Sequence, residues 1–95
     1  MSSPADFEWD EEKAASNFAK HKISFEAAIA AFADPDALHL DATRQGDGEN
    51  REKLVGMIEG RLFTVVFTLR DEVVRMISAR RANKREEKSY GERPL

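Results

Sequence analysis

The 95-residue chain contains no cysteine, and it has only three prolines and five glycines. Without cysteine it has neither a disulfide framework nor a thiolate site, which fits a reducing compartment. No apolar run approaches the roughly 20 residues that a membrane span requires. The first residues, Met1–Asp6, have neither the basic start nor the apolar stretch of a signal peptide. We therefore expect a cytoplasmic protein that does not enter a membrane.

The composition is that of one globular domain with a heavily charged surface. Apolar residues make up 41% of the chain and charged residues 35%, which excludes a disordered chain. A chain of this length forms one domain. We expect that domain to span residues 1–95, with flexible ends at 1–6 and 92–95.

Charge is distributed unevenly along the chain. Residues 1–60 contain 6 Lys and Arg and 13 Asp and Glu, a net charge of -7, whereas residues 61–95 contain 9 and 5, a net charge of +4. A basic C-terminal third on an acidic chain suggests a localised surface for anions. The alternative is a well-solvated helix, because surface helices are routinely rich in Lys and Arg.

The hydrophobic pattern predicts two helices, four strands and a final helix. Asp10 and Ser24 are typical N-cap residues, which places helices at 10–21 and 25–33. The remaining predicted elements are strands at 37–41, 52–59, 62–69 and 73–79 and a helix at 81–91. Because helices and strands are segregated, we expect an α+β fold with helices packed on one face of an antiparallel sheet.

Residue periodicity predicts which side chains face the core. In the first predicted helix, Ala14, Ala15, Phe18 and His21 recur at helical spacing. In the last strand, alternation places Val74, Met76 and Ser78 on one face of the sheet. The opposite face is expected to be mixed in polarity and to carry Arg51, Lys53, Thr64, Thr68 and Arg75. Such a face suits phosphate, because guanidinium offers paired donors and permanent charge. Alternatively, Arg51 and Arg75 pair with carboxylates across the sheet.

The chemical inventory of the chain is limited. It has no Gly-rich phosphate loop and no HExxH motif, and its two histidines, His21 and His39, are far apart in sequence. We therefore expect no metal and no cofactor. An enzyme with this inventory works through general acid–base groups and arginines. RNA cleavage suits it, because the 2′-hydroxyl of the substrate is the nucleophile and the protein needs only to position the phosphate and move protons.

A set of short elements occurs in a recognisable order between Phe7 and Tyr90. The elements are Trp9-Asp10, Asn17, Lys20-His21, Phe25-Glu26-Ala27, Phe32-Ala33-Asp34-Pro35, Glu49 with Arg51, Ile77-Ser78-Ala79-Arg80-Arg81-Ala82, Glu86 and Tyr90. Together they resemble the BrnT family, toxins of type II toxin–antitoxin pairs. One difference is Lys22, because the family usually has glycine after the Lys-His element.

The resemblance implies a RelE-like fold and metal-independent RNA cleavage that halts translation. It also implies inhibition by a small antitoxin, commonly a ribbon-helix-helix DNA-binding protein, with operator DNA bound only through the complex. The implied catalytic residues are Arg80 and Arg81 on the scissile phosphate, Arg51 assisting, Glu49 as proton acceptor, and Lys20 and His21 for acid–base chemistry or backbone contact. The candidate substrate-binding residues are Arg75, Lys53 and Tyr90, the last stacking on a base.

These assignments have structural alternatives. His21 is also a candidate helix C-cap, Glu49 a candidate partner of Arg51, and Tyr90 a candidate core residue. For the whole chain, the alternative to a ribonuclease is a decayed, non-catalytic toxin that only binds its antitoxin and regulates the operon. The sequence pI of about 5.4 favours that alternative, since nucleic-acid binders are usually basic.

Overall fold

The computed structural model describes residues 6–44, 46 and 48–92, which form three α-helices and one 3₁₀ helix packed on a five-stranded sheet. In chain order the elements are β1 (Asp6–Glu8), α1 (Glu11–His21), α2 (Phe25–Ala28), the 3₁₀ helix (Ile29–Ala33), β2 (Leu38–Asp41), β3 (Glu52–Ile58), β4 (Arg61–Arg70), β5 (Val73–Arg81) and α3 (Lys84–Glu92). The α+β class is confirmed. Of the ends expected to be flexible, residues 1–5 and 93–95 lie outside the described residues.

The sheet has the strand order β1-β5-β4-β3-β2. Strands β2 to β5 pair antiparallel with their neighbours, whereas β1 pairs parallel with β5, Phe7 opposite Val74. The expectation of a purely antiparallel sheet of about four strands was therefore wrong. The reason is that β1 has only three residues, too few for alternation to identify a strand or its partner.

The helix starts lie where their capping residues place them. The carboxylate oxygen Oδ1 of Asp10 accepts a hydrogen bond of 2.8 Å from the amide of Glu12, and Oγ of Ser24 accepts one of 3.0 Å from the amide of Ala27. Each bond satisfies a backbone donor that the helix itself leaves unpaired. The segment predicted as one helix at 25–33 is α2 continued directly by the 3₁₀ helix. No described helix has the length and apolar character needed to cross a membrane.

Of the residues that recur at helical spacing in α1, Ala14 packs against the core. The helix buries Asn17 against β5 and turns Phe18 outward, 52% exposed. The amide of Asn17 donates to the carbonyl oxygen of Ala79 at 2.9 Å, accepts from the Ala79 amide at 3.0 Å and donates to the Ile23 carbonyl oxygen at 3.3 Å. Because β1 pairs only as far as Arg75, the edge of β5 beyond it has backbone groups that need such a partner.

The core lies between the helices α1 and α2, the 3₁₀ helix and one face of the sheet, which we call the helix face. Its buried members are Ile23, Phe25, Ala28, Ala31, Leu54, Val65, Phe67, Val74, Met76 and Ala79. Phe32 of the 3₁₀ helix makes edge-to-face ring contacts with Phe7 and Phe67. The other sheet face is therefore left for different contacts.

Gly56 allows the 3₁₀ helix to pack directly on β3. A Cβ at this position would lie 2.6 Å from the carbonyl oxygen of Ala31, well inside van der Waals contact. We expect Gly56→Ala to lower the free energy of unfolding by about 1–3 kcal/mol through overpacking, measured by urea denaturation. Gly91→Ala is the control, because nothing lies within 4 Å of the added Cβ there. Equal stability of both variants would contradict the prediction.

Lys22 ends α1 in the left-handed conformation, with φ 60° and ψ 28°, and its amide donates to the Phe18 carbonyl oxygen. We expect Lys22→Gly to raise the free energy of unfolding by about 0.5–1 kcal/mol. The left-handed conformation costs an L residue about 1–2 kcal/mol, and the greater freedom of unfolded glycine offsets part of the gain. Thermal denaturation measures the change. Lys22→Ala removes the same charge but keeps the strain, so an equal gain in that variant would contradict this account.

Candidate functional site

The sheet face opposite the helix face carries cations and hydroxyls. Cross-strand register aligns Lys53 with Val66 and Ser78, and Val55 with Thr64 and Arg80. We call this surface the mixed face; its members are Arg51, Lys53, Val55, Thr64, Val66, Thr68, Arg75, Ser78 and Arg80. The prediction that Lys53, Thr64, Thr68 and Arg75 share one mixed face is confirmed. Arg51 directly precedes β3, and its place on this face follows from alternation.

A β-bulge at Ile77 decides which residues of β5 reach the mixed face. Val66 pairs with Ser78 and Phe67 pairs with Met76, so Ile77 is an extra residue in β5. The extra residue reverses the alternation. The expectation that Ser78 shares a face with Met76 was therefore wrong: Ser78 lies on the mixed face, and Ala79 joins the core.

The two adjacent arginines at the end of β5 point to opposite faces of the sheet. Strand β5 continues through Arg81 instead of ending at Ala79, and α3 begins at Lys84 instead of residue 81. Arg80 lies on the mixed face, whereas Arg81 pairs with Phe63 and places its guanidinium 5.7 Å from the centre of that ring. The structure does not bring the two guanidinium groups together in one phosphate site.

The guanidinium of Arg80 is held by Glu86 of α3. Nη1 and Nη2 of Arg80 donate to the two carboxylate oxygens of Glu86 at 2.8 and 2.9 Å. Lys53 Nζ donates to the same carboxylate at 2.9 Å and Thr64 Oγ1 at 2.8 Å. We call Glu86, Arg80, Lys53 and Thr64 the Glu86 cluster. Its two cations and one carboxylate leave a net charge of +1.

Glu86 also starts α3. Its amide donates to Oδ1 of Asn83 at 2.8 Å, and its carboxylate accepts from the Asn83 amide at 2.9 Å, a reciprocal capping box. Burial, the largest single effect, raises the pKa of Glu86, but the hydrogen bonds from Arg80, Asn83, Lys53 and Thr64 outweigh it and hold that pKa well below the usual range. The hydrogen bond to Glu86 raises the pKa of Arg80. Both groups are therefore ionised at neutral pH.

The position of α3 corrects the expectation that all helices cover one sheet face. Its residue Glu86 contacts β3, β4 and β5 from the mixed face. Tyr90, further along α3, donates its hydroxyl to Oδ2 of Asp34 at 2.8 Å, and the same oxygen accepts from the amide of Met57 at 2.8 Å. The hydroxyl of Tyr90 thus links α3 to the end of β3, and the side chain is half-buried and lies outside the core.

The remaining predicted site residues on β3 and β5 lie further from Arg80. Arg75 forms an ion pair of 2.9 Å with Glu8 on the neighbouring strand, as its structural alternative predicted. Glu49 pairs with Arg70 at 3.3 Å, not with Arg51. Arg51 lies four residues before Val55, which is about 13 Å along a strand with a rise of ~3.3 Å per residue. The backbone positions of Glu49 and Arg51 therefore lie about four residues or more along the sheet from the row that contains Arg80.

Lys20 and His21 lie in a groove at the open edge of β5. The groove has a volume of about 270 Å³ and is lined by Lys13, Ser16, Asn17, Lys20, His21, Ile77 and Ser78. We call it the edge groove. His21 is the last residue of α1 and the C-cap is Lys22, so His21 does not act as the C-cap. Ser78 is common to the edge groove and the mixed face.

Several residues that shape these surfaces were not among the predicted site residues. Glu86, Ser78 and Lys13 contribute to the cluster or the groove without having been assigned a role. A signal for Glu86 was available, because Asn83 and Glu86 have the three-residue spacing of a capping box. No comparable signal marks Ser78, whose face depends on the bulge.

The arrangement offers fixed positive charge to a polyanion. The cations of the mixed face are Arg51, Lys53, Arg75 and Arg80; Lys53 and Arg80 contact Glu86, and Arg75 contacts Glu8. Hydroxyls of Thr64 and Ser78 lie between them. Within the described part of the chain, no three His, Asp or Glu side chains are grouped so as to hold a metal ion.

The comparison with known families gives a match over most of the chain. A family model described as the ribonuclease toxin BrnT of type II toxin–antitoxin systems matches residues 9–86. The matched segment contains every residue of the mixed face, the edge groove and the Glu86 cluster. No curated protein matches the chain.

Proposed function

Because this chain belongs to the BrnT family of type II toxin–antitoxin ribonuclease toxins, we propose that it cleaves RNA on its mixed face without a metal ion. The Glu86 cluster is the observation that supports this location of the site, because it presents a fixed guanidinium and a fixed ammonium group with a net charge of +1. Further cations continue the same surface toward Arg51 and Arg75. The surface therefore suits several consecutive phosphates of one strand.

The proposed reaction is attack of a ribose 2′-oxygen on the adjacent phosphorus, with departure of the 5′-oxygen of the next nucleotide. The transition state carries extra negative charge on the phosphate oxygens, which positioned cations stabilise strongly. Arg80 and Lys53 are the groups we place at the scissile phosphate. Arg51 and Arg75 are placed at flanking phosphates, because Arg51 lies roughly 13 Å further along the sheet.

His21 is our choice for proton transfer, with Lys20 on the RNA backbone. The edge groove holds both side chains beside Ser78, where a strand leaving the mixed face crosses the edge of β5. Imidazole is the commonest general acid–base group in enzymes. Glu49 is less suitable, because Arg70 occupies its carboxylate and it lies beyond Arg51 from the Glu86 cluster.

The test is cleavage of single-stranded RNA by purified protein in the presence of EDTA. We expect fragments with 2′,3′-cyclic phosphate ends, because the 2′-oxygen forms the new bond. An RNA carrying a 2′-deoxyribose at the cleaved position is the matched control and is expected to remain intact. Cleavage of the deoxy control, or loss of all cleavage in EDTA, would contradict the proposed chemistry.

The family assignment implies an antitoxin partner, and we propose more specific properties for it. The antitoxin is a ribbon-helix-helix protein that neutralises the toxin, and operator DNA is bound only through their complex. The toxin has a RelE-like fold and acts in the cytoplasm by halting translation. Induction of the chain in cells is expected to stop bulk translation and growth, and co-expression of the protein encoded beside it is expected to restore both.

A specific observation favours a second candidate, a non-catalytic module that only binds antitoxin. Cations of the mixed face are in ion pairs: Lys53 and Arg80 with Glu86, and Arg75 with Glu8. A protein that binds antitoxin tightly but leaves RNA intact would support this candidate. The cleavage assay above therefore separates the two.

A further inference from the structure

We propose that Glu86 is a positioning residue for RNA cleavage: its buried carboxylate fixes Arg80 and Lys53 so that their outward edges bind the scissile phosphate. The inference rests on the proposed function and assigns a role within that site. Glu86 itself does not touch the substrate. It acts through the two cations that it holds.

The exposures within the Glu86 cluster place the carboxylate inside and the cations outside. The side chain of Glu86 is 2% exposed, whereas those of Arg80 and Lys53 are 31% and 26% exposed. A phosphate approaching the mixed face therefore meets the cations and is separated from the carboxylate. Repulsion between the phosphate and Glu86 is correspondingly weakened by distance and by the intervening positive charge.

The hydrogen bonds of Arg80 leave one edge of its guanidinium for a ligand. Of its five N–H donors, two point to Glu86 and one to the Arg81 carbonyl oxygen at 3.2 Å, counting all contacts to the described residues. The two that remain are Nε–H and one N–H of Nη2, which form the side edge of the planar group. That edge is the one that binds two oxygens of a phosphate in parallel.

The Glu86 carboxylate accepts more hydrogen bonds than the attachment of α3 requires, which indicates a second role for it. A buried ion pair contributes little net stability compared with apolar residues of similar volume. Starting α3 requires only the exchange of hydrogen bonds with Asn83. The contacts to Arg80, Lys53 and Thr64 come from three different strands, so they fix side chains across the sheet.

The decisive variant is Glu86→Gln, which keeps the size of the side chain and the capping acceptor but loses the negative charge. We expect kcat for cleavage of single-stranded RNA to fall by about 100-fold, the cost typical of a misplacement of ~1 Å. KM is expected to stay the same or to fall, because the mixed face becomes more positive. This split between kcat and KM distinguishes positioning from a general loss of structure, which would impair both.

Asn83→Ala is the matched control, because it weakens the start of α3 and leaves the carboxylate of Glu86 in place. Its kcat is expected to stay within about threefold of the unmodified protein, the range of an ordinary surface substitution. A loss equal to that of Glu86→Gln would overturn the proposal and assign Glu86 to anchoring α3. A kcat for Glu86→Gln within the same range would also overturn it.

Glu86→Asp is the variant that tests the positioning role if Glu86→Gln does not fold. The aspartate keeps the charge but is one methylene shorter, so it does not reach Arg80 and Lys53 together. We expect a loss of kcat of about tenfold or more, with an unchanged circular dichroism spectrum. Nitrogen NMR of the Arg80 side chain is expected to show restricted rotation of the guanidinium in the unmodified protein and faster rotation in this variant. Unchanged kcat and rotation would overturn the proposal.

Cleavage by the unmodified protein distinguishes failure of the proposed function from failure of the positioning role. If it does not cleave RNA, the proposed function fails and the positioning role fails with it. If it cleaves RNA and the Glu86 variants are as active, only the positioning role fails.

Discussion

Replacing Asn17 by alanine is expected to lower the free energy of unfolding by roughly 3–5 kcal/mol, because each buried polar group left without a partner costs about 1–3 kcal/mol. The variant removes the partner of the Ala79 amide, the Ala79 carbonyl and the Ile23 carbonyl. Domains of this size have a total stability of about 5–15 kcal/mol. Urea denaturation followed by circular dichroism measures the loss.

Two further variants test whether the loss of stability comes from the hydrogen bonds of Asn17 to Ala79 and Ile23. Ser16→Ala changes the adjacent, exposed residue of the same helix and is expected to shift stability by less than about 0.5 kcal/mol. Asn17→Asp keeps the acceptor for the Ala79 amide but loses both hydrogen bonds that Asn17 donates. Its loss of stability is therefore expected to exceed that of Ser16→Ala and to be no larger than that of Asn17→Ala. A loss below about 1 kcal/mol in Asn17→Ala would mean that water replaces the amide at the edge of β5.

The local features of the fold were predictable because their causes are local. Asp10 and Ser24 cap helices through bonds to amides two and three residues away. Regular alternation in β3 and β4 assigned Lys53 and Thr64 to the mixed face, since neither strand contains an inserted residue before that row. In each case the sequence within a few residues contains the whole physical reason.

The features that sequence patterns missed depend on distant partners. Asn17 is buried because β5 presents unpaired backbone groups to α1, and neither segment signals this alone. The short strand β1 is defined only by its parallel partner β5. The bulge at Ile77 has no marker in its own residue type, yet it changes the face of every later residue in β5.

The candidate site shows both outcomes. The sequence correctly indicated which cations lie on or near the site. It also led to the expectation that Arg80 and Arg81 act together, but the face on which each side chain lies depends on the bulge and on the extension of β5. The pairing of Arg80 with Glu86 follows from where α3 begins. A basic sequence element therefore predicted the presence of a basic surface. The sheet face on which each of its side chains lies became known only from the tertiary structure.

Single replacement of the two arginines is expected to give opposite results, and this is the largest effect on activity that the geometry predicts. Arg80→Ala is expected to lower kcat for RNA cleavage by about 100-fold or more, since removing one donor to transition-state charge costs ~10²–10³ in rate. Arg81→Ala is expected to change kcat by less than about threefold, because its guanidinium lies over Phe63 on the other sheet face. Single-turnover cleavage of one defined RNA measures both.

Arg80→Ala also leaves Glu86 with one cation fewer, so loss of stability must be separated from loss of chemistry. Arg80→Lys is the control for this, because it keeps a positive charge beside the buried carboxylate and lacks the two-donor edge that binds phosphate. We expect Arg80→Lys to remain folded by circular dichroism, to bind antitoxin as the unmodified protein does, and still to cleave RNA at least about tenfold more slowly. Equal losses of kcat for Arg80→Ala and Arg81→Ala would contradict the prediction and would mean that RNA contacts both faces of the sheet at the end of β5. Full activity of Arg80→Lys would contradict the role of the two-donor edge and would mean that a positive charge alone is sufficient at the phosphate.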